Sequence, residues 1–268
     1  MTVRVEREGE VTVVTIDRPE ARNAVDPDTA EALFRAFLAF DKDEAAKVAI
    51  LTGAGDAFCA GFDLKHAAGS IDAGWFAAHD IDAGFDGRGD RPRKGPMGPT
   101  RLTLSKPVIA AIAGPAVAGG MELALWCDLR VMEASAYMGV FCRRWGVPLI
   151  DGGTVRLPRI VGHGRAMDLI LTGRRIEAAE CLDWGLANRL CDDGSALEAA
   201  RDLASDLARF PQACLRADRA SAMRQWSLSP EAALASEWQS AEVFRREGAA
   251  GAARFTAGKG RGGDFEEI

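Results

Sequence analysis

The sequence predicts an α/β fold, and three observations predict it. A β-branched run that ends in glycine, "KVAILTG" at 47–53, follows a stretch of helical period, and that stretch follows two strand-like segments. The succession of strand, glycine-rich turn and helix then occurs twice, at 48–65 and at 108–126. Beyond about residue 160 the pattern is helical. Alternation of strands with helices is the pattern of a parallel sheet covered by helices. With 48% hydrophobic residues in 268 there is enough apolar material for a full core plus a smaller lobe. The division expected is a core with the functional site over 1–195 and a C-terminal helical lobe with a polar tail over 196–268.

"VRVERE", a turn at Gly9-Glu10 and "VTVVTID" read as a hairpin. Asp26-Pro27 is a helix-start signal, a cap followed by a first-turn proline, and Leu33, Phe34, Phe37 and Leu38 recur at helical spacing. The strand at 47–53 after that helix implies a right-handed crossover. The stretch 66–101 is rich in glycine, proline and charge and predicts a loop or lid with a short helix near "WFAAHDI". "KPVIAAIAG" (106–114) and "DLRVMEA" (128–134) are the next strands, on either side of the helix that carries Glu122. "GRAMDLILTG" and "EAAECLDWG" are helices closed by Gly173 and Gly185, where a left-handed cap belongs. Further helices are predicted near 195–209, 211–226 and 230–248, before the polar tail.

A formal charge of −6 supplies no global basic field for nucleic acid or an anionic membrane, so neither is an expected partner. The N-terminus lacks an apolar segment of signal-peptide length, and no run is long enough to span a bilayer. Cys59, Cys127, Cys142, Cys181, Cys191 and Cys214 form no CxxC pair and read as packing residues of a reducing compartment. A cytoplasmic protein is expected. "GKGRGG" at 258–263 fits a dinucleotide fingerprint literally, but no strand precedes it and too little chain follows for a helix. The three histidines, His66, His79 and His163, lack ligand spacing, so no metal is expected.

What remains is "AFCAGFDL" (57–64) and "AGPAVAGGMELAL" (113–125). Each sets a glycine between a strand and a helix, where first-turn N–H groups lack intrahelical partners and can converge on an anion. Two facing turns of this kind would place two donors on one oxygen and stabilise an oxyanion on a thioester carbonyl. Glu122 sits in an otherwise apolar run, where desolvation disfavours its ionised form. Spacing alone leaves the role open: an acid beside the activated carbonyl, or a residue that merely caps its own helix or faces an internal water.

At these residues the chain resembles the crotonase (enoyl-CoA hydratase/isomerase) superfamily over nearly its whole length. "IDRPEARNAVD" is similar to the family's early segment, "AFCAGFDL" to its first oxyanion loop and "AVAGGMELALWCDLR" to its second. "GGTVRLPRIVGHGRAMDLILTGRRIEAAECLDWGLANRL" resembles its helical stretch. The resemblance implies a spiral of ββα units whose C-terminal helices form a homotrimer or a dimer of trimers. It also implies an acyl-CoA thioester substrate, with coenzyme A as part of that substrate and no separate cofactor. The implied oxyanion donors are the backbone amides of Phe62 and Gly119. Ala21, Arg22 and Ala60 would line the coenzyme A groove with Asp63 and Leu64 beside it. Lys259 would reach the phosphates, or else stand as a solvated tail charge.

The sequence departs from the pattern at one place. Hydratases of the family use two glutamates; one matches Glu122, and alignment of "FCRRWGVPLIDGGT" (141–154) puts Cys142 where the second belongs. A thiol cannot replace a carboxylate near neutrality without special help. Asp151, further along the same loop, is the candidate replacement acid; its structural alternative is an ion pair with Arg143 or Arg144, or a loop cap. Arg101, Arg143 and Arg144 either bind a polar or carboxylate-bearing acyl group, or serve structural pairing or subunit contacts. The expected activity is hydration of a 2-enoyl-CoA with Glu122 as acid and base. The alternatives are a Δ3,Δ2-enoyl-CoA isomerase and a non-catalytic acyl-CoA-binding protein.

Overall fold

The computed structural model of the chain describes residues 2–82, 85, 92–260 and 262. The middle of the expected lid, 83–84 and 86–91, and most of the polar tail, 261 and 263–268, lie outside the described residues. The hairpin forms as expected from β1 (Val3–Glu8) and β2 (Val11–Ile16). Helix α1 (Pro27–Lys42) starts where the cap signal predicts, with the Asp26 carboxylate accepting from the Thr29 N–H. β3 (Val48–Gly53) then pairs parallel to β2.

Two short helices, α2 (Leu64–Ser70) and α3 (Ala73–Ala78), occupy the start of the predicted lid. β4 (Val108–Ile112), β5 (Pro115–Val117), α4 (Gly119–Trp126), β6 (Leu129–Glu133) and β7 (Tyr137–Gly139) follow. Then come α5 (Gly153–Val161), α6 (His163–Thr172), β8 (Arg175–Glu177), α7 (Ala178–Asp183), β9 (Arg189–Cys191) and α8 (Ala196–Arg209). Gly173 and Gly185 take the expected positive φ, 61° and 78°. The remaining helices are α9 (Gln212–Arg224), α10 (Pro230–Trp238), α11 (Ala241–Val243) and α12 (Ala249–Thr256), the last two joined by a single wide turn at Phe244–Gly248. Helix thus reaches Thr256, past the expected limit of 248.

Among the described residues the main sheet has six strands in the order β1-β2-β3-β4-β6-β9, parallel apart from β1. Side chains alternate between its faces. Val11, Val13, Val48, Ile50, Ile109, Ala111 and Val131 pack under α8 through Ala200, Leu203 and Ala204. Val14, Ile16, Ala49, Leu51, Ala110 and Ile112 enter the larger core with α1 and α4. Burial on both faces is why the central strands β3 and β4 read as nearly continuous apolar runs.

A second sheet, β5-β7-β8, was not anticipated. Its strands are three residues each, too short for a periodic signal.

Candidate active site

Both glycine turns leave the carboxyl ends of neighbouring strands, β3 and β4, where open α/β sheets form their clefts. Two hydrogen bonds zip the turns together: Cys59 N–H to the Pro115 carbonyl at 3.0 Å and Val117 N–H to the Cys59 carbonyl at 3.0 Å. Gly120 permits this approach, because a Cβ there would lie 2.1 Å from the Cys59 oxygen. The buried Asn23 amide fastens the first turn from behind, donating to the Ala54 and Ala57 carbonyls at 2.9 and 2.6 Å.

On the first turn, Val25 bonds the Gly61 carbonyl and the Asp63 N–H, so Phe62 directs its own N–H the other way. On the second, Ala118 holds φ 53° and ψ −124°, a left-handed conformation rare outside glycine, and thereby sets the orientation of the Gly119 N–H. Such strain costs about 1–3 kcal/mol and persists only where the surroundings impose it. Among the described residues neither the Phe62 nor the Gly119 amide has an acceptor, and both line one cavity of about 330 Å³. A buried N–H left open is uncommon and asks for a ligand.

Glu122 lines the same cavity and is 3% exposed. It does cap a helix, though not its own: Oε1 accepts from the Asp151 and Gly153 N–H groups, at 2.9 and 2.8 Å, at the start of α5. Burial, and then the nearby Asp151 carboxyl, push its pKa up to about 8, against those two hydrogen bonds. Asp151 is equally buried and also lines the cavity. Its Oδ1 accepts from the Met97 N–H at 3.0 Å and, in a very short contact, from the Thr100 hydroxyl. Burial raises this carboxyl too.

The alternative of an Asp151 ion pair with Arg143 or Arg144 is therefore corrected. Arg143 donates to the Ile170 carbonyl and Arg144 lies over the Phe141 ring, 4.2 Å from its centroid. Neither lines the cavity, and Arg101, which donates to the His79 carbonyl at 2.6 Å, does not line it either.

A residue that sequence reasoning missed completes the network. Arg156, on α5, donates to the carbonyls of Asp151 (2.9 Å) and Thr100 (2.6 Å), and its charge acts on both carboxyls. A signal existed: Arg156 interrupts the inward stripe of Gly153, Leu157 and Val161, as Glu122 interrupts its own apolar run. The half-buried Arg156, with Arg101 acting on Asp151, sets positive charge beside two buried acids and favours a pair that keeps one proton and carries one negative charge.

Ala60 and Leu64 also line the cavity. Arg22, at φ 51°, accepts the Ala60 N–H at 3.0 Å, and Ala21 precedes it in a short turn, so both sit just behind the lining. Asp63 is engaged in structure: it caps α2 and pairs with Arg18 at 3.1 Å. Lys259 is exposed in the turn after α12 and is not among the lining residues. Cys142 does line the cavity, and burial raises its thiol pKa, which keeps it a neutral wall element. All six cysteines are free thiols. Among the described residues there is no three-membered His/Cys/Asp/Glu cluster fit for a metal, and no helix long and apolar enough to cross a membrane.

Two open amides and a buried acid pair at the carboxyl edge of a parallel sheet define an oxyanion-stabilising acid–base site. The chain belongs to the crotonase family: the model described as enoyl-CoA hydratase/isomerase matches residues 6–82 and 99–256. Enoyl-CoA hydratase EchA19 of Mycobacterium tuberculosis is 40% identical over 205 residues, 75% of this chain and 72% of that protein. Carnitinyl-CoA dehydratase of Salmonella arizonae is 38% identical over 210 residues, 77% and 74% of the two chains. The crystal structure of enoyl-CoA hydratase EchA1 from Mycobacterium marinum superposes with a TM-score of 0.84 at 32% identity, covering 96% of each chain.

Proposed function

We propose that this enzyme adds water reversibly across the double bond of a 2-enoyl-CoA thioester. The observation that carries the reading is the pair of unclaimed amides, Phe62 and Gly119, on a cavity shared with Glu122 and Asp151. The thioester oxygen binds between the amides, which draw electron density from the β-carbon and hold the enolate that forms when water attacks it. The ionised member of the acid pair takes a proton from the attacking water, and the protonated member delivers one to the α-carbon. Two acids share the work that the missing family glutamate leaves open at Cys142.

Incubation with a trans-2-enoyl-CoA in 18O-labelled water is expected to place the label in a 3-hydroxyacyl-CoA. Double-bond migration in a 3-enoyl-CoA with no labelled hydroxyl would overturn the reading in favour of the isomerase. Because turnover needs a proton on the pair, kcat/KM is expected to fall as pH rises through about 8. Asp151→Asn removes a negative neighbour that raises the Glu122 pKa, so the alkaline limb should move to lower pH and the rate drop about 10²-fold. An alkaline limb unmoved in that variant would exclude Asp151 from the pair.

Large apolar side chains left exposed on the C-terminal helices, Leu234 (67%), Trp238 (77%) and Phe244 (76%), support assembly of three copies through this face. Sedimentation of the purified protein as a trimer or hexamer is the expected result.

A further inference from the structure

Among the described residues, apart from Glu122, Asp151 and the Cys142 thiol, every side chain that lines the cavity is apolar. Two of the lining residues, Met97 and Cys142, are buried, 1% and 8% exposed. The outer part is unusual in the opposite sense: Leu64, Ile71, Phe76, Trp145 and Ile150 line the cavity and are also among the chain's exposed large hydrophobic residues. Trp145 is 67% and Phe76 62% exposed. The apolar wall thus runs from the carboxyls out to the rim. Its volume of about 330 Å³ holds about ten groups the size of a water molecule, whereas a butenoyl group has four carbons.

Charge points the same way. Arg143 and Arg144 are engaged elsewhere, and Arg101 bonds the His79 carbonyl while its charge acts on Asp151, so among the described residues no cationic side chain lines the cavity to meet an acyl carboxylate. A cationic acyl group fares no better, because Arg156, and Arg101 toward Asp151, already set positive charge beside the two acids, which are buried. Phe62 and Phe76 meet Trp75 edge to face, and His79 lies against the Trp75 ring at 4.4 Å, so these rings are packed on one another.

We propose that the acyl group handled at this site is an uncharged hydrocarbon of medium length or greater bulk, whose far end rests on the Phe76–Trp145 rim. This rests on the hydratase reading and separates the activities of the two relatives, since a carnitinyl group carries a quaternary ammonium. Each methylene moved from water onto such a wall favours binding about fourfold, and partial exposure of the rim reduces that gain.

The test compares kcat/KM for four CoA thioesters: trans-2-butenoyl, trans-2-decenoyl, 4-trimethylammonio-2-butenoyl and 4-carboxy-2-butenoyl. Decenoyl-CoA is expected to exceed butenoyl-CoA by at least tenfold, with both charged substrates at least tenfold below butenoyl-CoA. Trp145→Ala and Phe76→Ala, at exposed positions that do not threaten folding, are each expected to reduce the decenoyl-to-butenoyl ratio about threefold or more. Equal or faster turnover of butenoyl-CoA, of either charged substrate, or an unaltered ratio in both variants overturns the inference. Dissociation constants for unreactive decanoyl-CoA and butyryl-CoA give a second readout. If none of the four thioesters is hydrated but decanoyl-CoA binds at least tenfold tighter, the hydratase reading falls and the acyl preference stands; equal binding overturns the preference.

Discussion

Glu122→Gln is expected to lower kcat by about 10³-fold and leave the dissociation constant of a saturated acyl-CoA within about threefold of the parent. Glutamine keeps the shape of the side chain, and its amide oxygen can still accept from the Asp151 and Gly153 N–H groups. What it removes is the exchangeable proton. Turnover within tenfold of the parent would exclude Glu122 from the chemistry. The same variant should reverse a stability trend. A carboxyl with an ordinary value of 4.5 held at about 8 in the folded protein binds more protons folded than unfolded between those limits. The stability it contributes is therefore complete below 4.5 and declines as pH rises to about 8, by up to about 5 kcal/mol. Urea denaturation should show Glu122→Gln close to the parent at pH 5 and more stable at pH 8.5.

Gly120→Ala is expected to reduce kcat by about 10²- to 10³-fold, the effect of spoiling an oxyanion site, and to destabilise the fold by about 1–3 kcal/mol. The new Cβ would lie 2.1 Å from the Cys59 carbonyl oxygen, which is already bound to the Val117 N–H and has no free direction in which to move. The turns must separate, and the Phe62 and Gly119 amides with them. Gly119→Ala serves as the comparison. There the Cβ would meet the Met97 sulfur, Cγ and Cε at 2.6, 2.9 and 3.0 Å, atoms of a flexible side chain that gives more readily than backbone. Its kcat should stay within about tenfold of the parent. Equal losses in the two variants would show that contact between the turns does not set the amide geometry.

The hairpin, α1 with its Asp26 cap, and the strands at 48–53, 108–112 and 129–133 were legible because each carries a local signal. So was Glu122, an acid in an apolar run, together with the two glycine turns. The second sheet was not, since three-residue strands such as Tyr137–Gly139 have no period and exist only through pairing with Pro115–Val117 and Arg175–Glu177. Asp151 shows the same limit. Arg143 and Arg144, the arginines that precede it in its own loop, are not its partners; its carboxylate bonds Met97 and Thr100, some fifty positions earlier in the chain.

By itself, then, the amino-acid order determined the kind of layering, the two anion-ready turns and the position of one buried acid, because caps, glycines and apolar periods act over a few residues. Only the folded chain decided that Asp151 joins Glu122 on one cavity, that the charge of Arg156 acts on both, and that Arg143 and Arg144 stay off the cavity wall. Those outcomes depend on charges and hydrogen bonds between segments remote in sequence, whose energies exist only once water has been excluded from between them.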